Sequence, residues 1–315
     1  MAAAQAAVNA PLPRATPRLP RDADTSDSED DMLSSPPPPR GEAKKPLVFP
    51  TSDITEVYAQ LQRGLGTMMP AEDAELLDEI FEFATTSENN ALLSMSKNHF
   101  TFLSDILVSE ELKSNIKILS VKMLQYLLQS SSAINVLRFC PEHPILEYLI
   151  MLGRQRSPDS EELLEAIKMM CNACSTTSGF SWLSDETEWS LEDVVEKTSN
   201  VDTVAHFCTW SLGKQGMKEV QEAAIKLAYN LSIPEITDQL AEQISATLLK
   251  LLTQPGPPLT DTAVQHLLGA LANFSDVSTQ VAHNINAQAV DWNSVQAKYP
   301  KSKDILSTFS QKIQS

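Results

Sequence analysis

The chain reads as an all-α array of stacked helical repeats, an α-solenoid, carried behind a disordered N-terminal tail. Three observations predict this. A helical phrase recurs: Ala-Ile-Lys-Met-Met-Cys-Asn at Ala166–Asn172, Ala-Ile-Lys-Leu-Ala-Tyr-Asn at Ala224–Asn230 and Leu-Leu-Gly-Ala-Leu-Ala-Asn at Leu267–Asn273, with a fainter copy at Ser120–Tyr126. Recurrence at intervals of about 45–60 residues is the signature of stacked supersecondary units. Second, composition changes near Lys45: the first fifty residues hold ten of the nineteen prolines, and the remainder of the chain is rich in Leu, Ala, Met, Glu and Lys and poor in Gly and Pro. Third, the segments between prolines keep the 3.6-residue apolar period of amphipathic helices.

Residues 1–46, with the run Pro36–Pro39, bury too little apolar surface to offset the entropy of ordering and are expected to be disordered. Within them Asp24–Asp31 places Ser26 and Ser28 among acids, each with an acid three residues on, as an acidophilic kinase would read. Residues 47–315 form the helical domain. Ser52 or Asp53 caps a first helix from Ile54 to the Gly64–Gly66 break. Pro70 starts the next, with Glu72, Asp73 and Glu75 set against its N-terminal dipole. A segment from about Asn98 to Val108 and a long run from Lys113 to Ser130 come next. After Pro158, Ser160-Glu161-Glu162-Leu163 begins a helix to Ser175. Trp182–Val201 is less regular and reads as a packed loop with one short helix. Further helices are expected over Asp202–Leu212, Lys218–Ser232, Glu235–Leu252, Asp261–Phe274 and Ser302–Lys312.

The net charge of −17 argues against nucleic acid and anionic membranes as partners. Through Pro46 there are six Lys/Arg and seven Asp/Glu, so the acidity belongs to the folded part. No stretch approaches the ~18 uninterrupted apolar residues of a membrane span. Met1–Arg21 has arginines and no acid, in the manner of a transit peptide, but Pro11, Pro13, Pro17 and Pro20 would break the amphipathic helix import needs. Four cysteines are too few for a disulfide framework, so cytosol or nucleus is expected.

The repeated phrase marks its core side. Ile167, Met170, Cys171 and Cys174 form an apolar stripe, and Cys171-Asn-Ala-Cys174 reads as packing on it, since no second Cys or His pair stands near to complete a metal site. The five histidines are scattered, no nucleophile pairing is recognisable and no Gly-rich phosphate loop is present. An enzyme is therefore not expected, nor a cofactor or metal.

The candidate site is a ladder on the flank of the stripe: Lys122 and Tyr126, Lys168 and Asn172, Lys226 and Asn230, and Asn273 with Gly269 in place of lysine. Positions four apart share a helix face. Asn has poor helix propensity, so its recurrence needs a cause. Its amide offers a donor and an acceptor, matching a peptide bond. Evenly spaced Asn residues can hold an extended peptide by its backbone, with the lysines favouring acidic side chains or a terminal carboxylate. The competing reading is architectural: Glu165–Lys168 and Glu222–Lys226 make local helix pairs, and the Asn amides serve neighbouring repeats.

The phrase resembles the third helix of armadillo repeats, where a Trp four residues before an Asn lines the concave groove. Here Lys122, Lys168, Lys226 and Gly269 stand in the Trp position. More closely, Ala166–Cys174, Ala223–Ser232 and Leu267–Ser275, with Phe49–Leu65 and Glu72–Phe83 before them, resemble the PUL domain family, the C-terminal module of phospholipase A2-activating protein and its yeast counterpart. The resemblance spans Leu47 to the C-terminus. It implies a six-repeat armadillo-like array whose basic groove binds the acidic C-terminal tail of the hexameric AAA ATPase valosin-containing protein, which unfolds ubiquitylated clients. Lys168 corresponds to the groove base of the family's middle repeat and Lys122 to that of the preceding one. The stretch before Leu47 is too short for the β-propeller and ubiquitin-binding module of the family's long members, so a stand-alone adaptor is expected. The alternative is a scaffold for another acidic or phosphorylated peptide, including the chain's own Asp24–Asp31.

Overall fold

The computed structural model describes residues 44–66, 69–86, 94–190, 197–234, 236–254, 258–288 and 290–314. Ser26 and Ser28, with the rest of residues 1–43, lie outside the described residues, and Lys44–Pro46 of the expected tail are described. Lys44 to the C-terminus is a single compact unit.

Among the described residues there are fifteen α-helices. They run α1 Ile54–Leu65, α2 Ala71–Thr85, α3 Lys97–Val108, α4 Ser114–Leu127, α5 Ser131–Arg138, α6 Pro144–Arg154, α7 Ser160–Ala173 and α8 Thr177–Leu183. Then come α9 Asn200–Leu212, α10 Lys218–Leu231, α11 Asp238–Thr253, α12 Asp261–Val277, α13 Thr279–Ala287, α14 Trp292–Lys298 and α15 Lys303–Gln314. One isolated bridge pairs Trp189 with Thr198.

Their packing is that of a repeat array. One row passes α1, α4, α7, α10, α12 and α15, each against the next. A second row passes α3, α6, α9, α11 and α13 in the same way. The rows are joined by contacts such as α3 with α4, α9 with α10 and α11 with α12, while short α5 packs against α8. One continuous apolar core runs between the rows from Ile54 to Phe309. It contains the predicted stripe, with Ile167, Met170, Cys171 and Cys174 fully buried.

Local chemistry sets the boundaries. The Asp53 carboxylate caps α1 by accepting from the Thr55 N–H at 2.9 Å. For α7 the cap is Asp159, one residue before the predicted start, accepting from the Glu161 and Glu162 N–H groups. The run Lys113–Ser130 does not end the local helical structure: α4 closes at Leu127, and α5 starts directly after Ser130. The Trp182–Val201 stretch opens inside α8 and closes inside α9, with the Trp189–Thr198 bridge between. Ser278 ends α12 and caps α13 with its hydroxyl, so the predicted helix from Asp261 continues to Val277 before the chain turns.

A candidate peptide-binding ladder

The three phrases and their faint copy fall on α4, α7, α10 and α12, consecutive members of one row. The recurrence in sequence is therefore a ladder in space. Its two middle rungs are already engaged, by the chain itself. The Asn230 Oδ1 accepts from the Leu47 N–H at 2.7 Å, and its Nδ2 donates to the Leu47 carbonyl at 2.8 Å. The Asn172 Oδ1 accepts from the Phe49 N–H at 2.7 Å. Both Asn side chains are fully buried.

The segment before α1 thus crosses the ladder as an extended strap. Alternate residues of an extended chain point the same way, which is why Leu47 and Phe49 meet the rungs. Val48 between them is 46% exposed. The local sequence favours this form. Pro46 and Pro50 bracket Leu47-Val-Phe49, and a residue before proline is steered to extended geometry. The Phe49 ring lies beneath two ladder lysines, with the Lys226 Nζ 4.1 Å and the Lys168 Nζ 5.9 Å from its centroid. Both distances are within the range of cation–π attraction.

The rungs differ. Asn230 uses both halves of its amide on the strap, whereas the Asn172 Nδ2 is buried with no acceptor. An unsatisfied buried donor costs about 1–3 kcal/mol. On the same helix the Lys168 Nζ is 2.7 Å from Glu165, whose buried carboxylate also accepts from the Gln125 Nε2 at 2.6 Å. Lys122, one helix earlier, reaches the exposed Glu161 at 3.5 Å. Tyr126 is half-buried against the core beside it.

The ladder fades at α12. The Asn273 Nδ2 donates to the Ser232 hydroxyl at 2.8 Å, a bond between repeats. The face of Gly269 is taken by the Tyr229 ring, whose Cε2 lies 3.0 Å from where a Cβ would stand. His266 leans on Tyr229 with ring centroids 6.0 Å apart. Burial, and then the Lys226 charge, lower its pKa.

Of the local pairs weighed from sequence, Glu165–Lys168 forms, while Glu222 turns to Lys218 at 3.8 Å and accepts from the Thr260 N–H at 2.8 Å. Burial pushes the Cys174 thiol up to about 12 and raises Cys171 strongly, as packed thiols require. Among the described residues no group of three or more His, Cys, Asp or Glu could hold a metal ion, and no helix is long and apolar enough to cross a membrane. The strap itself was the feature that sequence reasoning missed. The signal available was the Pro-x-x-x-Pro frame at Pro46–Pro50.

No protein-family model matches the chain, and no curated protein matches it. Among solved structures, an engineered protein determined by the Northeast Structural Genomics Consortium is similar over 81% of this chain and 97% of its own, at 18% identity and a TM-score of 0.44.

Proposed function

We propose that the protein is a non-enzymatic adaptor whose Lys/Asn ladder docks an extended acidic peptide, with the C-terminal tail of the AAA ATPase valosin-containing protein as its partner in ubiquitin-linked protein turnover. The observation that carries this reading is the strap. Asn172 and Asn230 hold a polypeptide backbone by its own amide groups without reading its side chains. That is the interaction a peptide ligand would need. The strap fills Asn230 and half of Asn172, so the open end of the ladder is at α4 and α7. There the buried Asn172 Nδ2 lacks an acceptor, and Lys168 stands one turn before it in its pair with Glu165. Lys122 and Tyr126 lie on α4, the adjoining helix of the row, with Lys122 against Glu161. The acidic tail comes to this chain from the PUL resemblance alone; the lysines are its chemical support.

Calorimetric titration of the full chain with the ATPase's tail peptide tests the proposal. A single short peptide on a solvated face is expected to bind in the micromolar range. Lys122→Glu/Lys168→Glu should weaken it at least tenfold with the circular dichroism unchanged. No binding by the wild type would sink the ATPase assignment. Binding of other acidic or phosphorylated peptides instead, with the same lysine dependence, would establish the scaffold alternative. If Asp24–Asp31 competes in cis, removing residues through Arg40 raises affinity for any external peptide.

A further inference from the structure

Away from the ladder, between α6 and α9 of the second row, the structure opens a cavity of about 620 Å³. Its walls are Leu149, Ile150, Phe207 and Trp210, and its nitrogen-bearing side chains are Arg154, Lys197 and His206. Three features make it a site rather than a packing fault. It is within the volume range of small-molecule pockets, with an apolar lining and few charged groups. Second, the chain carries 41 Asp and Glu against 24 Lys and Arg, yet among the described residues that line this cavity there is no acid, and Glu188 reaches it only as the partner of Lys197. Third, Gly153 on α6 faces open space, since a Cβ there would meet nothing within 4 Å, so a larger side chain at this lining position has room to enter the cavity.

The polar groups are not equally free. The Thr209 hydroxyl bonds back to the Ala205 and His206 carbonyls, and Thr198 and Thr203 bond to each other at 3.2 Å. Lys197 pairs with Glu188 at 3.2 Å. Arg154 has no carboxylate partner among the described residues, and His206 is exposed. The Lys214 ammonium, which does not line the cavity, sits 3.6 Å over the Trp210 ring and holds the indole in place. The cavity therefore offers an apolar, aromatic floor and an exposed guanidinium with no carboxylate partner among the described residues.

We propose that this cavity binds a small amphipathic carboxylate, its hydrocarbon body against Leu149, Ile150, Phe207 and Trp210 and its head on Arg154 and His206. The guanidinium supplies a bidentate match to a carboxylate, which a neutral apolar ligand would leave unused. The site is separate from the ladder and does not depend on its function.

Titration of the full chain with the fluorescent anion 1-anilinonaphthalene-8-sulfonate, followed by displacement with dodecanoate, tests this. Saturable one-site binding, reversed by dodecanoate, is expected. Gly153→Leu fills the cavity from a helical position with open space, and should weaken both ligands at least tenfold while the melting temperature holds. Arg154→Glu/His206→Glu, at exposed positions, should weaken both similarly and covers the case in which the Leu variant does not fold. Lys122→Glu/Lys168→Glu should bind as the wild type does. Absence of binding, displacement by dodecanol as effective as by dodecanoate, or unchanged affinity in the folded variants would overturn the proposal.

Discussion

Asn172 and Asn230 occupy equivalent places in the repeated phrase, yet only Asn230 closes both hydrogen bonds with the strap. Asn230→Ala strands the Leu47 N–H and carbonyl together; Asn172→Ala strands only the Phe49 N–H. The first should cost about 1–3 kcal/mol and the second less. Hydrogen exchange would report this residue by residue. The Leu47 amide should lose protection in Asn230→Ala while the Phe49 amide loses it in Asn172→Ala, and equal loss of both in either variant would contradict independent rungs. The buried thiols make a second residue-scale prediction. Burial holds Cys174 protonated up to about 12 and Cys208 higher still. An unfolded thiol ionises near 8.5, so above that pH the unfolded chain releases a proton that the folded chain keeps, and stability falls as pH rises toward 12. Each such thiol removes about 2 kcal/mol between pH 8 and pH 10. Urea unfolding at the two pH values should show a drop that Cys174→Ala reduces by about that amount.

At the scale of elements, α7 carries both Lys168 and Asn172, and its start is fixed by one carboxylate. Asp159→Ala removes the acceptor for two first-turn N–H groups and should cost about 1 kcal/mol, read as a shifted urea midpoint at unchanged slope. The neighbouring α8 is held by close approach rather than by a cap alone. A Cβ on Gly179 would stand 1.7 Å from the Ala173 carbonyl oxygen at the end of α7. Backbone cannot rotate aside as a side chain can, so Gly179→Ala must push α8 off α7. A loss of about 1–3 kcal/mol is expected, as for an overpacked core. Gly153→Ala, where space is open, is the control and should be neutral or stabilising. Comparable destabilisation in both would mean that helix contacts, not local sterics, set the cost.

For the whole molecule, a stack of repeats is stabilised mainly by nearest neighbours. The strap adds contacts of a different order, joining residues 183 and 123 positions apart. Deleting residues through Pro50 removes three hydrogen bonds and the half-buried Leu47 and Phe49. The helices themselves lose no internal bond. The expected result is an unchanged far-ultraviolet spectrum with stability lower by about 2–4 kcal/mol. Loss of helical signal would show that the strap is required to assemble the row at all.

The sequence by itself determined the fold class and the face that carries the ladder, because both rest on periodicity. Apolar spacing fixes which side of each helix is buried, and a phrase repeated at the same helical phase must land on the same face of successive repeats. It also placed the Asp53 cap of α1 and the break before α2 at Pro70, while the cap of α7 stands one residue earlier than the start it indicated. Short α5, α8, α13 and α14 were not legible, since seven to nine residues give too few turns for a period to stand out, and α6, eleven residues beginning at Pro144, was not placed either. What only the tertiary structure decided is the occupancy of each rung. Lys-x-x-x-Asn reads alike at α7 and α10. Whether its amide meets a backbone in full, meets it by half, or turns to a serine as Asn273 does depends on which distant segment is brought against it. No local pattern encodes that pairing, because hydrogen bonds across more than a hundred residues are selected by the assembled rows.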